Sequence, residues 1–299
     1  MIQKRKLKNY LKNIVFLFLL CSVVVCLTAC DMMDEDRIAF PFSQVWNAPM
    51  KYDDSNATKS LSVAAVSLEI DISPEVTRNK MITFIDKIKL EKPEVRLILF
   101  SEKTLGYYYK ALNPAEYQKS IAETIPGETT NIISQKAKEC QIYISFGMTE
   151  KVGEDLYNSQ VLIDTAGVIV SVYRKYYLTP EDIKSGFKAG QDITVNVIDN
   201  IKVATMICND MNSLTVNKKI QEAGVELVLF PVANTTSSFG KLMELFRQYT
   251  FSWVLSANRV GFEDNTDYDG LLYLAAPSGE RRVIQRGKEG YILGEVKVW

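Results

Sequence analysis

Histidine is absent from all 299 residues. That excludes Ser-His-Asp and Cys-His catalysis and every metal site built on imidazole, since no other unperturbed side chain titrates near neutrality. Cysteine is scarce as well. Of the five present, Cys21, Cys26 and Cys30 lie in or beside an N-terminal apolar run. Only Cys140 and Cys208 remain for the body of the chain, too few for a disulfide framework. Beyond Cys30 there is no apolar stretch of the roughly 20 residues that a membrane-spanning helix needs. No metal and no cofactor is expected.

The N-terminus has the pattern of an export signal. Lys4, Arg5, Lys6, Lys8 and Lys12 precede the apolar run Ile14 to Cys26, and Leu27-Thr28-Ala29-Cys30 follows. Those four residues resemble the bacterial lipobox, in which the cysteine is lipidated and begins the mature chain. The expectation is a signal peptide over 1–29 and a lipid anchor on Cys30, palmitate included. Two or three acyl chains would hold firmly, because each buried methylene contributes about 0.8 kcal/mol. An uncleaved anchor would leave the domain on the same, extracytoplasmic side of the bacterial cell membrane or outer envelope.

Loss of the leader removes five cations, leaving 30 of the 35 basic residues against 36 acidic ones. A chain of net charge near −6 is a poor partner for nucleic acid. Residues 30–60 are polar, open with Asp31, Asp34, Glu35 and Asp36, and show no sustained period, so they read as a tether. Phe40, Phe42 and Trp46 offer an aromatic cluster that could pack on the domain. From residue 61 to 299 the length suits one domain with a substantial core.

Within that span apolar runs alternate with helical patterns, which points to an α/β fold. Strands are expected over Ser62 to Leu68, Val95 to Phe100, Gln141 to Gly147, Thr194 to Ile198, Lys202 to Ile207 and Glu226 to Pro231. A hairpin, Leu156 to Asp164 with Val168 to Tyr173, turns on Thr165-Ala166-Gly167. Helices are expected over Arg78 to Leu90, Gly127 to Glu139, Ser213 to Ala223 and Lys241 to Leu255, with further strands at Gly270 to Ala276 and Tyr291 to Val298. Cys140, at a helix-to-strand junction, reads as a small buried thiol.

Three polar residues close strongly apolar runs: Glu102, Lys175 and Cys208. In layered α/β folds the C-terminal strand ends gather distant residues into one cleft. Taken singly, each is more often core or solvent-facing than functional. Together they supply a nucleophile, a base and a cation, and without histidine Glu102 is the obvious base for a Cys208 nucleophile. A thiol with a pKa near 8.5 needs such neighbours to be activated.

The ordered set of motifs resembles the nitrilase, or carbon-nitrogen hydrolase, superfamily over nearly all of 61–299. Phe100-Ser101-Glu102 is similar to its glutamate motif, and Tyr173-Arg174-Lys175, after Tyr157-Asn158-Ser159 and Ala166-Gly167, to its lysine segment. Ile207-Cys208-Asn209-Asp210, with Leu227 to Asn234, is similar to its cysteine segment; Ala257-Asn258-Arg259-Val260-Gly261 and Pro277-Ser278-Gly279 resemble motifs nearer its C-terminus. The resemblance implies a four-layer αββα sandwich, often dimerised through helices, so a homodimer is among the expected partners. It implies Cys208 as nucleophile, Glu102 as general base and acid, and Lys175 as stabiliser of the tetrahedral intermediate; the backbone N–H after the nucleophile, that of Asn209, is the expected second oxyanion donor. A second glutamate that orients the site falls closest to Glu181, with Asp182 competing for the role.

Departures gather around the pocket: Ser101 for proline, Asn209 for an aromatic or acid, Asn212-Ser213-Leu214 in the loop that follows, and Tyr177 where histidine is common. They bear on substrate rather than on reaction type. The expected activity is cleavage of a non-peptide or peptide-like amide C–N bond in a small amide or acyl-amine. The alternatives are an N-acyltransferase working through the same thioester and an idle binding or scaffold lipoprotein. Specificity is expected from loops around Tyr107 to Tyr109, Leu178 to Gly186 and Thr235 to Phe239.

Overall fold

The computed structural model describes residues 51–235, 252–285 and 287–299. The leader, Cys30 and the aromatic cluster of the tether therefore lie outside the described residues, as does the loop beyond Thr235. Among the described residues no helix is long and apolar enough to cross a membrane.

Period-two alternation in the first strand organises the sandwich. In β1 (Lys59–Ser67), Leu61, Val63 and Ala65 face one core while Ala64 and Val66 face another. The second core is completed by α1 (Pro74–Glu91), which contributes Met81, Ile85 and Ile88, and by α3 (Glu128–Cys140), which contributes Ile133 and Ala137. Between them in sequence come β2 (Leu97–Leu99) and a short α2 (Pro114–Ile121) that the sequence pattern does not announce. The first sheet continues through β3 (Tyr143–Val152), β4 (Asp155–Ile163) and β5 (Ile169–Arg174). Gly167, at φ +80°, makes the β4–β5 turn where a side chain would be strained.

After α4 (Pro180–Lys184) the chain builds a second sheet from β6 (Val195–Ile198), β7 (Ile201–Thr205), β8 (Leu227–Val232) and β9 (Trp253–Asn258). A 3₁₀ turn (Cys208–Asn212) and α5 (Leu214–Glu222) connect β7 to β8. A small hairpin, β10 (Val260–Glu263) with β11 (Thr266–Asp269), stands apart. The chain finishes with β12 (Leu272–Ala275), β13 (Arg281–Gln285) and β14 (Gly290–Val298). The two six-stranded sheets run β14-β1-β2-β3-β4-β5 and β13-β12-β9-β8-β7-β6. Each has three parallel strands at its centre, β1-β2-β3 and β7-β8-β9, with antiparallel strands outside them.

Leu97 and Leu99 from one sheet meet Val203, Leu227, Leu229 and Leu255 from the other in the central core. The far side of the second sheet packs Ala204, Val228 and Val254 against Val216 and Ile220 of α5. Helix, sheet, sheet, helix is thus the observed layering, the αββα sandwich expected from the sequence.

The helix expected over Lys241 to Leu255 lies mostly outside the described residues, but its last part is strand: Trp253 pairs with Leu227 and Leu255 with Leu229. Helical spacing and a buried strand both present a short apolar run, and the partner strand decides. The domain also begins before residue 61. Tyr52 packs edge-on against Trp253 at 5.4 Å, and Lys59 and Ser60 already pair with β14.

Candidate active site

The central parallel strands of both sheets end at the same edge. Glu102 follows β2, Cys208 follows β7, Asn234 follows β8 and Arg259 follows β9, while Lys175 follows the antiparallel β5. Glu102, Lys175 and Arg259 have no solvent exposure.

Lys175 is the hub. Its Nζ donates to Glu102 Oε1 at 2.8 Å and to Asp182 Oδ2 at 2.6 Å. Asn158 Nδ2 bridges the same two carboxylates, at 2.7 Å to Glu102 and 3.2 Å to Asp182. Burial disfavours the Lys175 ammonium, but Asp182 and Glu102 outweigh it and hold the group well above its ordinary pKa. Lys175 is therefore a fixed cation. Asp182 shifts the other way: burial acts against its charge, yet Lys175 and the Thr179 N–H keep its carboxyl below the usual range.

Asp182 is placed by a capping box at the start of α4. Thr179 Oγ1 accepts from the Asp182 N–H at 3.1 Å, and Asp182 Oδ2 accepts from the Thr179 N–H at 2.9 Å. This reciprocal cap turns Asp182 inward and its neighbour outward. Glu181, expected to orient the lysine, is instead exposed on the wall of the cleft, and Asp182 makes the contact.

With Oε1 of Glu102 held by two donors, Oε2 is buried and has no hydrogen-bond partner. That orphaned oxygen is an acceptor kept in reserve, costly to bury unless something donates to it.

Cys208 sits at φ +43°, a left-handed conformation that a cysteine rarely adopts, in a sharp turn from β7 into the 3₁₀ segment. The turn is pinned by Asp210. Its carboxylate accepts from Ile207 N at 2.9 Å, Tyr176 N at 3.0 Å, Tyr177 N at 2.6 Å and the Tyr173 hydroxyl at 2.7 Å. One buried acid thus ties the turn after Lys175 to the turn bearing Cys208, and burial raises its pKa to about 7 in spite of these donors. Asn209 donates its side-chain amide to the carbonyls of Tyr177 and Leu178.

Asn258 fixes the adjacent loop by accepting from Asn234 N at 3.0 Å and donating to Asn234 O at 2.9 Å. Arg259 Nη2 donates to the carbonyls of Glu102, Lys103 and Gly106, and Nη1 donates to Glu263 Oε2 at 2.6 Å. On the other side of the Glu102 loop, a Cβ on Gly147 would collide with the backbone of Lys103, so β3 can approach only as glycine.

Lys103 is fully buried at φ +45°, donates to Tyr108 O at 2.7 Å, and lies 4.6 Å from the centre of the Phe187 ring. Burial lowers its pKa to about 7.

A cleft of about 560 Å³ opens onto Cys208. The loops expected to shape it do so through Tyr108, Tyr109, Thr179 and Glu181. Thr266 and Tyr268 of β11 add a wall without a periodic signal in the sequence, because a four-residue hairpin strand is too short to show one.

The sulfur differs from the sequence expectation in one respect. Burial, then the Glu102 charge, push the Cys208 thiol well above its ordinary pKa, and Lys175 only partly opposes them. The resting site holds a thiol beside a carboxylate, and a base must take its proton as the sulfur reacts. Alkylation of Cys208 by iodoacetamide is accordingly expected to climb through pH 9. A plateau reached below pH 7, the mark of a preformed thiolate, would contradict this arrangement. Cys140, half-buried at the end of α3, is also raised by burial.

Comparison with known proteins places this arrangement. The chain is 28% identical over 215 residues to a protein described as "Hydrolase in pqqF 5'region" from Pseudomonas protegens, covering 70% of this chain and 74% of that one. It is 31% identical to a nitrilase from Pyrococcus abyssi over 54% of this chain and 61% of that protein. It is 28% identical to a formamidase from Bacillus cereus over 71% of this chain and 62% of that protein. The chain spans less than two thirds of the latter two.

Among solved structures, a carbon-nitrogen hydrolase superfamily protein from Xanthomonas campestris superposes with a TM-score of 0.71 at 16% identity, covering 80% of this chain and 91% of that one. An amidase from Nesterenkonia, bearing an acetamide moiety on its active-site cysteine, gives 0.70 at 16% identity over 80% and 90%. These are likenesses of fold. The family model for carbon-nitrogen hydrolases matches residues 62–297, and the chain belongs to the carbon-nitrogen hydrolase family.

Proposed function

We propose that the protein hydrolyses small amides through a Cys208 thioester, outside the cytoplasm, tethered by lipid on Cys30. The observation that carries the reaction is the divided Glu102 carboxylate: one oxygen locked by Lys175 and Asn158, the other buried without a partner. Glu102 takes the thiol proton as the sulfur attacks the amide carbon. The oxyanion is held by the Lys175 ammonium and the Asn209 backbone N–H, each such donor contributing about 3 kcal/mol in comparable sites. Collapse breaks the C–N bond, and Glu102 returns its proton to the departing amine. Water, deprotonated by the same carboxylate, then attacks the thioester; the C–S bond breaks, the acid is freed, and Glu102 returns the proton to the Cys208 sulfur. Asp182 and Asn158 keep Lys175 and Glu102 in register throughout.

The family and the amidase, formamidase and nitrilase names of its relatives support hydrolysis of a C–N bond. The tether rests on the leader and the Leu27-Thr28-Ala29-Cys30 pattern. Ammonia or amine release from a panel of small amides is expected from the native chain and not from Cys208→Ala. Release surviving in that variant would dismiss the thioester, and products appearing only when a second amine is added would indicate acyl transfer. Labelled palmitate should enter the native chain and not Cys30→Ser; equal labelling would remove the anchor.

A further inference from the structure

The cleft that opens onto Cys208 is not neutral. Glu181 lines it as an exposed carboxylate, and among the described residues that carboxylate has no hydrogen bond or ion pair. No lysine or arginine is among the cleft's described lining residues. The cations just behind it are committed: Lys175 to Glu102 and Asp182, Arg259 to Glu263 and three carbonyls, Lys103 to Tyr108 O.

Tyr109, half-buried, lines the same cleft beside the Tyr108 and Tyr268 rings. The Tyr108 ring already faces the Lys103 ammonium at 5.1 Å, and Tyr268 faces Arg259 at 5.5 Å. Among the described residues, a free carboxylate with an uncommitted tyrosine and no lining cation is chemistry suited to an ammonium or guanidinium group. An anionic end would meet Glu181 with no counter-charge among the described lining residues, a repulsive element that sharpens selection.

We propose that this cleft selects amides whose non-reacting end is cationic, and that Glu181 is the specificity-determining residue that receives that end beside Tyr109. The inference rests on the amide-hydrolase reading of the same site, and two measurements on the full-length chain keep the two separable.

In the first, kcat/KM is compared for 4-aminobutanamide, its neutral isostere pentanamide and the anionic succinamic acid. The cationic amide should lead pentanamide by about tenfold or more and succinamic acid by a wider margin, and in Glu181→Gln the cationic-to-neutral ratio should collapse toward one. The second needs no turnover. Cys208 is modified with a trimethylammonium-ethyl or a sulfonatoethyl methanethiosulfonate, each rate being normalised to that of a small neutral thiol and read at the Cys208 peptide by mass spectrometry. The cationic-to-anionic rate ratio should exceed one and fall about tenfold in Glu181→Gln.

A wild-type ratio no higher than that of Glu181→Gln, or a preference for the neutral or anionic amide, would overturn the inference while leaving hydrolysis standing. Silence on all three amides with the labelling ratio as expected would count against the hydrolase reading and uphold the cationic cleft.

Discussion

Replacing Lys175 with methionine is expected to stop turnover and to destabilise the fold by about 3–5 kcal/mol, the usual result of removing one partner from a buried ion pair. Lys175 and Glu102 are fully buried and Asp182 nearly so, and Lys175 is the only cation whose ammonium bonds to both carboxylates among the described residues. Without it the two acids face each other through Asn158 alone, and one must take up a proton. Loss of an oxyanion donor should lower kcat by about 10²–10³, and a protonated Glu102 could no longer act as a base.

Denaturant unfolding separates these effects. Lys175→Met with Asp182→Asn should recover much of the stability, since one uncompensated charge has gone with the cation, but none of the rate. If Lys175→Met unfolds within 1 kcal/mol of the native chain, the buried triad does not hold the site together in the way its distances imply.

Much of this arrangement was legible in the sequence, for a physical reason. Strand-ending polar residues stand out against apolar runs, so Glu102, Lys175 and Cys208 could be singled out without knowing how the sheets stack. The apolar run within Ser62 to Leu68 likewise announces a buried strand. What could not be read depends on phase or on distant partners. The choice between Glu181 and Asp182 is one residue wide, and it is settled by Thr179 capping α4, which turns Asp182 toward Lys175.

Asn158 lies mid-strand, and only the order β2-β3-β4 in the sheet brings its amide to Glu102. The sequence suggested an activated thiol because a cation and a base are expected beside Cys208. The structure adds burial, which with the Glu102 charge outweighs Lys175. The strand at Trp253 was hidden because its periodicity is that of any short buried segment, and β8 beside it makes it a strand.

Arg259→Met is expected to cost a further 3–5 kcal/mol, measured against the native chain, by leaving Glu263 buried and unpaired. The motif around Arg259 was recognisable by resemblance, but its work is visible only in space. Its guanidinium reaches across to the Glu102, Lys103 and Gly106 carbonyls, and its partner Glu263 accepts from Tyr108 N at 2.8 Å. The pair therefore shapes the whole segment from Glu102 to Tyr108, which carries the base at one end and a wall of the cleft at the other.

Arg259 touches no reacting atom, so its effect on rate must pass through that segment. Arg259→Met with Glu263→Gln removes both charges and should restore most of the stability. It should not restore kcat, because the three carbonyls still lack their donor and Glu102 loses its fixed distance from Lys175 Nζ. A double variant that regains stability and full kcat together would reduce Arg259 to a purely structural ion pair. Regained stability with kcat still depressed and KM little changed would identify it as the residue that positions the base.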